Sequence, residues 1–310
     1  MSSAKPLVVI FGATGNQGGS ILHVLAEHPD SYTVRAVTRS TKSNSARELA
    51  ARYPLVQWVE ADIDIPSSLP PAVANADVVF GVTQFFQPSV HSADKTNENA
   101  EFQQGKNIID ACVAEGVGFV VFSTTSSAKK LSNGKITGVL HFEGKYKIQE
   151  YLLALPIDSA IVQMGMYYQN YLQSAAWSES GDAVVIAFPG DVNRKHPYAD
   201  VNRDLGPYVK FIIDNRQQSK GKIFPVSSGY YSTTDIANAL TKVTGLPAVA
   251  VELPTDAYGD KVLQDMFELL KTCNIFADSP GHLDTNKKVP FEFTTPETFW
   301  ETSKFKGPSN

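Results

Sequence analysis

The chain has 310 residues, with 27 Lys and Arg against 32 Asp and Glu, which gives a formal net charge of −5. A mildly acidic chain without a run of basic residues lacks the concentrated positive charge of a dedicated nucleic-acid surface or a polybasic membrane anchor. The hydrophobic fraction of 43% is that of an ordinary globular protein. We therefore expect one large domain or two unequal ones, with no direct nucleic-acid contact.

The beginning of the chain and its cysteines indicate an intracellular protein. The apolar run at residues 7–11 is too short for a signal sequence or a membrane span. We expect a cytoplasmic protein without membrane contact, and the nucleus stays open as a second compartment. The two cysteines, Cys112 and Cys273, have no CxxC spacing, so they predict neither a disulfide framework nor a metal site.

Short apolar runs alternate with longer helical stretches through the first half of the chain, which is typical of βαβ units. The predicted strands cover residues 7–11, 33–37, 56–60, 77–80, 119–123 and 158–162. The predicted helices cover residues 20–27, 46–53, 98–115 and 142–155. Because the strands are mostly apolar on both faces, we expect a doubly wound parallel sheet of six strands, covered by helices on both sides.

The rhythm changes after residue 163. Shorter strands are predicted at 184–188, 222–226 and 248–252, with helices at 205–214, 234–244 and 258–272. We predict an α/β protein with a Rossmann domain over residues 1–163 and a smaller α/β cap domain over residues 164–310, with discontinuous contributions left open. Ligands of open α/β sheets bind at the carboxyl ends of the strands, so we expect the site there.

A glycine motif follows the first predicted strand, where residues 12–19 read GATGNQGG. Gly12 permits a tight turn, Gly15 lets the backbone approach a pyrophosphate, and Gly18 lets the helix pack on the strand. The helix that follows offers N–H groups and the positive end of its dipole. In this strand–turn–helix context the motif predicts dinucleotide binding, with a purely structural turn as the alternative.

The residues after the second and third strands indicate which dinucleotide binds. An NAD site places Asp or Glu after the second strand, to accept from the ribose 2′-OH. The sequence instead has Arg39 and Lys42, and a guanidinium binds a 2′-phosphate bidentately. NADP(H) is therefore favoured, with solvated loop charges as the alternative. Asp62 is placed to accept from the adenine amino group or to cap a helix.

Four segments together resemble the NmrA-like proteins, which are atypical members of the short-chain dehydrogenase superfamily. They are GATGNQGG, the basic VTRS turn at 37–40, HFEGK at 141–145 and MYYQNY at 166–171. The likeness covers roughly residues 5 to 300 and is greatest to the animal NADPH-sensor branch. It implies a Rossmann domain with a small C-terminal α/β domain, NADP(H) as cofactor, and redox-responsive regulation of transcription through protein partners.

The resemblance also implies roles for individual residues. Contacts to the pyrophosphate are implied for Thr14, Gly15, Asn16 and Gln17, to the 2′-phosphate for Arg39 and Lys42, and to adenine for Asp62 and Ile63. Towards the nicotinamide, the implied residues are Thr83, Gln84, Phe85, Lys145, Tyr167, Tyr168, Gln169 and Asn170. One departure is Gln103, which stands where the sensor branch has a cofactor-facing lysine and predicts a weaker contact.

The sequence leaves two functions open because the superfamily's Tyr-x-x-x-Lys pair is incomplete. In that pair the ammonium lowers the pKa of the phenol that relays the proton, but here His141 stands four residues before Lys145. In the first hypothesis the protein binds cofactor without turnover and signals through partners. In the second it is a reductase similar to the isoflavone-reductase branch, with Lys145 as acid/base and His141 as a second group that exchanges protons. Its substrate is small, and it is aromatic if Phe85 and the tyrosines line a pocket.

Overall fold

The computed structural model describes residues 5–86, 98–279 and 281–308. Within these ranges the chain alternates strands and helices, as the sequence predicts. The strands are β1 (Leu7–Ile10), β2 (Thr33–Thr38), β3 (Gln57–Glu60), β4 (Val78–Gly81), β5 (Phe119–Thr124), β6 (Ser159–Met164), β7 (Met166–Tyr167), β8 (Ala176–Trp177), β9 (Val184–Pro189), β10 (His196–Ala199), β11 (Ile223–Val226), β12 (Gly229–Tyr231) and β13 (Ala248–Leu253).

The helices of the same ranges include long helices on the sheet and shorter turns in the connections. They are α1 (Asn16–Ala26), α2 (Asn44–Arg52), α3 (Leu69–Val73), α4 (Glu98–Ala114), α5 (Ala128–Leu131), α6 (Leu140–Leu153), α7 (Gln169–Ser174), α8 (Leu205–Asp214), α9 (Arg216–Ser219), α10 (Thr233–Thr244), α11 (Lys261–Thr272), α12 (His282–Asn286) and α13 (Pro296–Ser303). A 3₁₀ turn, Pro66–Ser68, precedes α3.

A seven-stranded parallel sheet in the order β11-β6-β5-β4-β1-β2-β3 forms the centre of the fold. The prediction of a doubly wound Rossmann sheet with a smaller α/β part is confirmed. The strand order reverses between β1 and β4, and open α/β sheets bind ligands in the crevice at such a reversal. The carboxyl ends of β1 to β5 therefore position the candidate site.

The prediction of six strands was wrong, because β11 adds a seventh strand beside β6. From the sequence alone, residues 205–214 and 222–226 are expected in the cap. The Gly206 N–H donates to Ser20 Oγ at 2.9 Å, and a Cβ at Gly206 would lie 2.3 Å from the Ser20 carbonyl oxygen. Only glycine allows α8 to lie so close to α1. Packing of α8 on α1 brings the following strand, β11, to the edge of the large sheet.

Contacts divide the chain into two compact units. The first comprises Met1–Thr125, His141–Gln163 and Leu205–Phe224, and the second comprises Ser126–Leu140, Met164–Asp204 and Pro225–Asn310. In the first unit, apolar side chains of the strands, such as Val9, Val120 and Ile161, are fully buried beneath the helices. The predicted domain limits at residues 163 and 164 stay a prediction, since the units also exchange two shorter segments.

The second unit is built on two three-stranded sheets, in the orders β12-β10-β7 and β13-β9-β8. Its core is aromatic, and Tyr168, Tyr198 and Trp300 are almost completely buried. The polar atoms of these rings are satisfied inside the unit: the Trp300 indole N–H, for example, donates to the Ile236 carbonyl at 3.0 Å. Buried aromatic side chains with bonded polar atoms indicate a structural core.

Candidate functional site

The turn between β1 and α1 is shaped by two of the three spaced glycines of the motif, Gly12, Gly15 and Gly18. Gly12 has a φ of +64°, in the left-handed region that favours glycine. At Gly18 an added Cβ would lie 2.3 Å from the Gly12 carbonyl oxygen, so a side chain has no room there. At Gly15 it would lie 3.4 Å from the same oxygen. Gly12 and Gly18 therefore fix the turn, and Gly15 keeps the surface beside it open.

The first turn of α1 faces this open surface. No side chain caps the helix, since the residue before it is Gly15. Thr14, Gly15 and Asn16 are exposed, and Gln17 is half-buried. The first N–H groups of an α-helix have no acceptor within the helix and lie at the positive end of its dipole. This arrangement fits a pyrophosphate.

The loop after β2 carries two exposed cations, Arg39 and Lys42. Arg39 has no hydrogen-bond or ion-pair partner within the described parts of the chain. Glu60, at the end of β3, accepts the Thr41 N–H at 2.8 Å and the Thr41 hydroxyl at 2.7 Å. These bonds, with the charge of Lys42, hold the pKa of the Glu60 carboxyl below its ordinary value. The two cations of this corner suit a phosphate, while the carboxylate of Glu60 is held by Thr41 and offsets part of their charge.

The two residues expected at adenine, Asp62 and Ile63, follow β3 and are half-buried. The Asp62 carboxylate accepts the Asp64 N–H at 3.0 Å, and the 3₁₀ turn that follows has no side-chain cap. The Ile63 carbonyl accepts from Asn107 Nδ2 at 2.9 Å, and Asn107 Oδ1 accepts from Gln103 Nε2 at 2.7 Å. Gln103 therefore supports this loop through Asn107.

Beyond β4, three residues from three elements form a closed polar network. Thr83 follows β4, Glu101 lies on α4, and Lys145 lies on α6. The Lys145 ammonium donates to the Thr83 carbonyl at 2.8 Å, to the Thr83 hydroxyl at 3.0 Å and to Glu101 Oε1 at 2.6 Å. The Thr83 hydroxyl also donates to Glu101 Oε1 at 2.8 Å. Since an ammonium has three N–H donors, all of them are engaged.

His141 lies one turn before Lys145 on α6 and is almost completely buried. Aromatic rings surround it, with centroid distances of 5.8 Å to Phe85, 5.3 Å to Phe86 and 4.9 Å to Phe142. Phe85 is buried and Phe86 is 44% exposed, while Gln84 is exposed. His141 is thus packed among rings.

Two hydroxyl groups at the end of β5 are engaged in internal hydrogen bonds. Thr124 Oγ1 donates to Gln149 Oε1 at 2.8 Å, and Thr125 Oγ1 donates to the Phe142 carbonyl at 3.3 Å. Ser123, the neighbour of Thr124 on β5, is 2% exposed. These contacts tie β5 to α6 and engage the hydroxyls of Thr124 and Thr125.

The segment at 167–170 belongs to the second unit. Tyr168 is fully buried there, and its hydroxyl lies 2.9 Å from Ser228 Oγ; burial raises its pKa. Gln169 Nε2 donates to Asp200 Oδ1 at 2.6 Å. The members of the segment with more exposure are Tyr167 and Asn170. The contacts implied for this segment stay a prediction, and two of its four side chains are engaged within the unit's own interior.

The first unit therefore brings most of the expected residues to one edge of the sheet. They are Gly12, Thr14, Gly15, Asn16, Gln17, Gly18, Arg39, Lys42, Asp62, Ile63, Thr83, Gln84, Phe85, His141 and Lys145. Sequence reasoning missed Glu60 and Glu101. The signal for Glu101 in the sequence is Gly105, four residues later and therefore on the same face of α4. A glycine is needed there because a Cβ would lie 2.4 Å from Ile148, so this face of the helix, which includes Glu101, is closely packed.

Two further searches concern other classes of site. In the described ranges, no cluster of three or more His, Cys, Asp or Glu side chains is arranged to hold a metal ion. No helix in these ranges has the length and apolar character needed to cross a bilayer.

Comparison with known proteins shows which family the chain belongs to. The model of the NmrA-like family matches residues 4–299. Among curated proteins, the NmrA-like family domain-containing oxidoreductase lnaB of Aspergillus flavus is 32% identical, over 93% of this chain and 91% of its own length.

Solved structures of the same fold include NmrA, a negative transcriptional regulator, in complex with NADP. It has a TM-score of 0.81 at 19% identity and covers 96% of this chain and 95% of its own. The NADPH-dependent quinone oxidoreductase QOR2 of Escherichia coli, complexed with NADPH, has a TM-score of 0.74 at 20% identity and covers 96% and 100%. With the family match over nearly the whole chain, the protein belongs to the NmrA-like family.

Proposed function

We propose that the protein binds NADP(H) at the carboxyl edge of its seven-stranded sheet and acts as a redox-responsive regulator through protein partners. The loop from Gly12 to Gly18 and the first turn of α1 bind the pyrophosphate, and Arg39 and Lys42 bind the 2′-phosphate. Asp62 and Ile63 lie at adenine, and Thr83 and Lys145 lie at the nicotinamide ribose. The NADP complex of the NmrA regulator supports both the cofactor and the regulatory role.

One observation carries the regulatory half of the proposal. Lys145 donates its three N–H groups to Thr83 and Glu101, and the residue four positions earlier is His141, so the phenol of a working dehydrogenase is missing. A general acid must lie within hydrogen-bond reach of the substrate atom that receives its proton. Lys145 would have to release one of its bonds to meet either a substrate atom or the ribose, so the missing phenol is the observation that favours a regulator. We place such a regulator in the cytoplasm, with the nucleus as a second compartment.

A second candidate is an NADPH-dependent reductase acting on a small substrate. It is favoured by the names of the relatives, since lnaB is called an oxidoreductase and QOR2 is a quinone oxidoreductase. NADPH would supply the hydride. Lys145 would then supply the proton, with His141 on the same face of α6, and the rings of Phe85 and Phe86 would favour an aromatic substrate.

Lys145→Met separates the two candidates. For a regulator we expect cofactor binding to weaken by about 1 to 3 kcal/mol, the usual range for hydrogen bonds to a charged group, and partner capture to fall only as far as cofactor occupancy falls. For a reductase we expect turnover at saturating NADPH to fall ~10² to 10⁴-fold. The measurements are NADPH oxidation at about 340 nm against a panel of carbonyl and enol-ether compounds, and a pull-down with and without NADPH. Steady turnover by the wild type would favour the reductase, and a wild type with neither turnover nor a partner would contradict both.

A further inference from the structure

The ion pair between Lys145 and Glu101 combines burial with charge in an unusual way. The Glu101 side chain is fully buried and that of Lys145 is 15% exposed, with 2.6 Å between Nζ and Oε1. The second carboxylate oxygen, Oε2, is buried and has no hydrogen-bond partner among the residues that the structure describes. Burying a carboxylate is costly unless it is paired and fully bonded. Glu101 is therefore held at this place by Lys145 and Thr83, with one oxygen left over.

The position of the pair follows from the order of the strands. A doubly wound sheet binds the two halves of a dinucleotide on either side of the point where the order reverses, here between β1 and β4. The cationic corner after β2 lies on one side, where the adenosine half belongs. Thr83 follows β4 on the other side. The network of Thr83, Glu101 and Lys145 thus lies at the nicotinamide half.

The two redox forms of the cofactor differ in charge at that half. The nicotinamide ring is a cation when oxidised and neutral when reduced. A nearby ammonium opposes the oxidised form and a nearby carboxylate favours it, and such interactions are strong where water is excluded. In the pair as it stands, Lys145 and Glu101 largely cancel each other.

We propose that the Lys145–Glu101 pair sets the relative affinity of the protein for NADP⁺ and NADPH, with Glu101 as the residue that keeps Lys145 from rejecting the oxidised form. This inference rests on the proposed function, because it requires NADP(H) at this edge. Because the two charges cancel, the site excludes neither form of the cofactor, so a change in the NADP⁺ to NADPH ratio changes which form occupies it.

The test is to measure the Kd of both forms by calorimetry in one buffer at about pH 8. Glu101→Gln keeps the shape and an acceptor oxygen but removes the negative charge, so the ratio of the Kd for NADP⁺ to that for NADPH should rise about three- to tenfold. Lys145→Met should shift this ratio in the opposite direction, and the double variant should return it towards the wild-type value. Thr83→Val is the matched control: it removes one hydroxyl of the network without changing charge, so both affinities should change by the same factor.

The outcomes separate this inference from the proposed function. A wild type that binds both forms, with a ratio unmoved by either single variant, overturns the inference alone. A wild type that binds neither form overturns the proposed function and this inference with it. Circular dichroism checks that each variant folds, and if Glu101→Gln does not, then Lys145→Met and the double variant still decide the sign.

Discussion

The two ends of the candidate site hold their cations in opposite ways. After β2, Arg39 and Lys42 are exposed, and Lys42 interacts electrostatically with one carboxylate, that of Glu60. After β4, Lys145 is mostly buried and bonded directly to the fully buried Glu101. The end after β2 has excess positive charge on the surface, whereas the end after β4 has a neutralised ion pair in the interior.

This difference indicates a division of labour. An exposed guanidinium contributes little to folding and is available to an anion, because surface ion pairs are weak and the side chain gives up only water. Breaking a buried pair is destabilising, since removing one partner leaves an uncompensated charge in the interior. We therefore expect changes at the first end to alter ligand binding, and changes at the second to alter stability and the response to ligand charge.

The largest expected effect is on stability, at Glu101. Glu101→Ala leaves the Lys145 ammonium and the Thr83 hydroxyl without their shared acceptor, so the free energy of unfolding should fall by about 3 kcal/mol, at the low end for a broken buried pair because Lys145 is partly exposed. Urea denaturation measures it. The exposed Glu115→Ala on the same stretch of chain is the control and should change it by less than about 0.5 kcal/mol. Equal effects of the two variants would contradict the expectation that the buried pair matters for stability.

A smaller effect is expected on ligand affinity, at Arg39. Arg39→Ala removes a charge-assisted contact to the 2′-phosphate, so NADP binding should weaken by about 1.5 to 3 kcal/mol while NAD binding barely changes. Stability should stay within about 0.5 kcal/mol of the wild type. Calorimetry with both dinucleotides measures this, with the exposed Arg47→Ala as control. If both cofactors lost the same affinity, the assignment of the 2′-phosphate to this corner would fail.

The smallest effect is expected at Glu60. Glu60→Gln keeps an acceptor for the Thr41 N–H and hydroxyl but removes the one negative charge of the corner, so NADP affinity should rise about two- to fivefold at low salt, in line with exposed charge pairs. The gain should shrink as salt increases. Glu48→Gln, on the exposed side of α2, should leave affinity unchanged. If Glu60→Gln bound NADP more weakly, the hydrogen bonds from Thr41 to Glu60 would matter more for binding than the repulsion between Glu60 and the phosphate.

The parts of the molecule that follow local patterns were predicted from the sequence. The strands of the first half were found because each is a short apolar run, and the glycine loop was found because tight turns need glycine at fixed places. At Gly18 a Cβ would lie 2.3 Å from the Gly12 oxygen, so α1 packs closely on the loop that follows β1. Local sequence carries this information because these contacts join neighbours in the chain.

Features that depend on distant contacts were missed. Glu101 is a charged residue in a helix, and such residues normally face solvent; its burial depends on Lys145, which lies on another helix. In the same way β11 resembles the strands of the second half, and only its pairing with β6 places it in the large sheet. The hydrophobic periodicity of one segment predicts its secondary structure but not the segment on which it packs.

The late arrival of β11 has a consequence for synthesis. β6 is buried along its whole length, Ser159–Met164, yet the strand that covers its edge is translated only after residue 222. Until then a nascent chain presents a long, apolar and unpaired strand edge, the kind of surface on which chains associate with one another. A fragment that ends at residue 163 keeps this edge permanently, so a cofactor-binding half produced alone should aggregate, whereas one that retains residues 205–226 carries its own protecting strand.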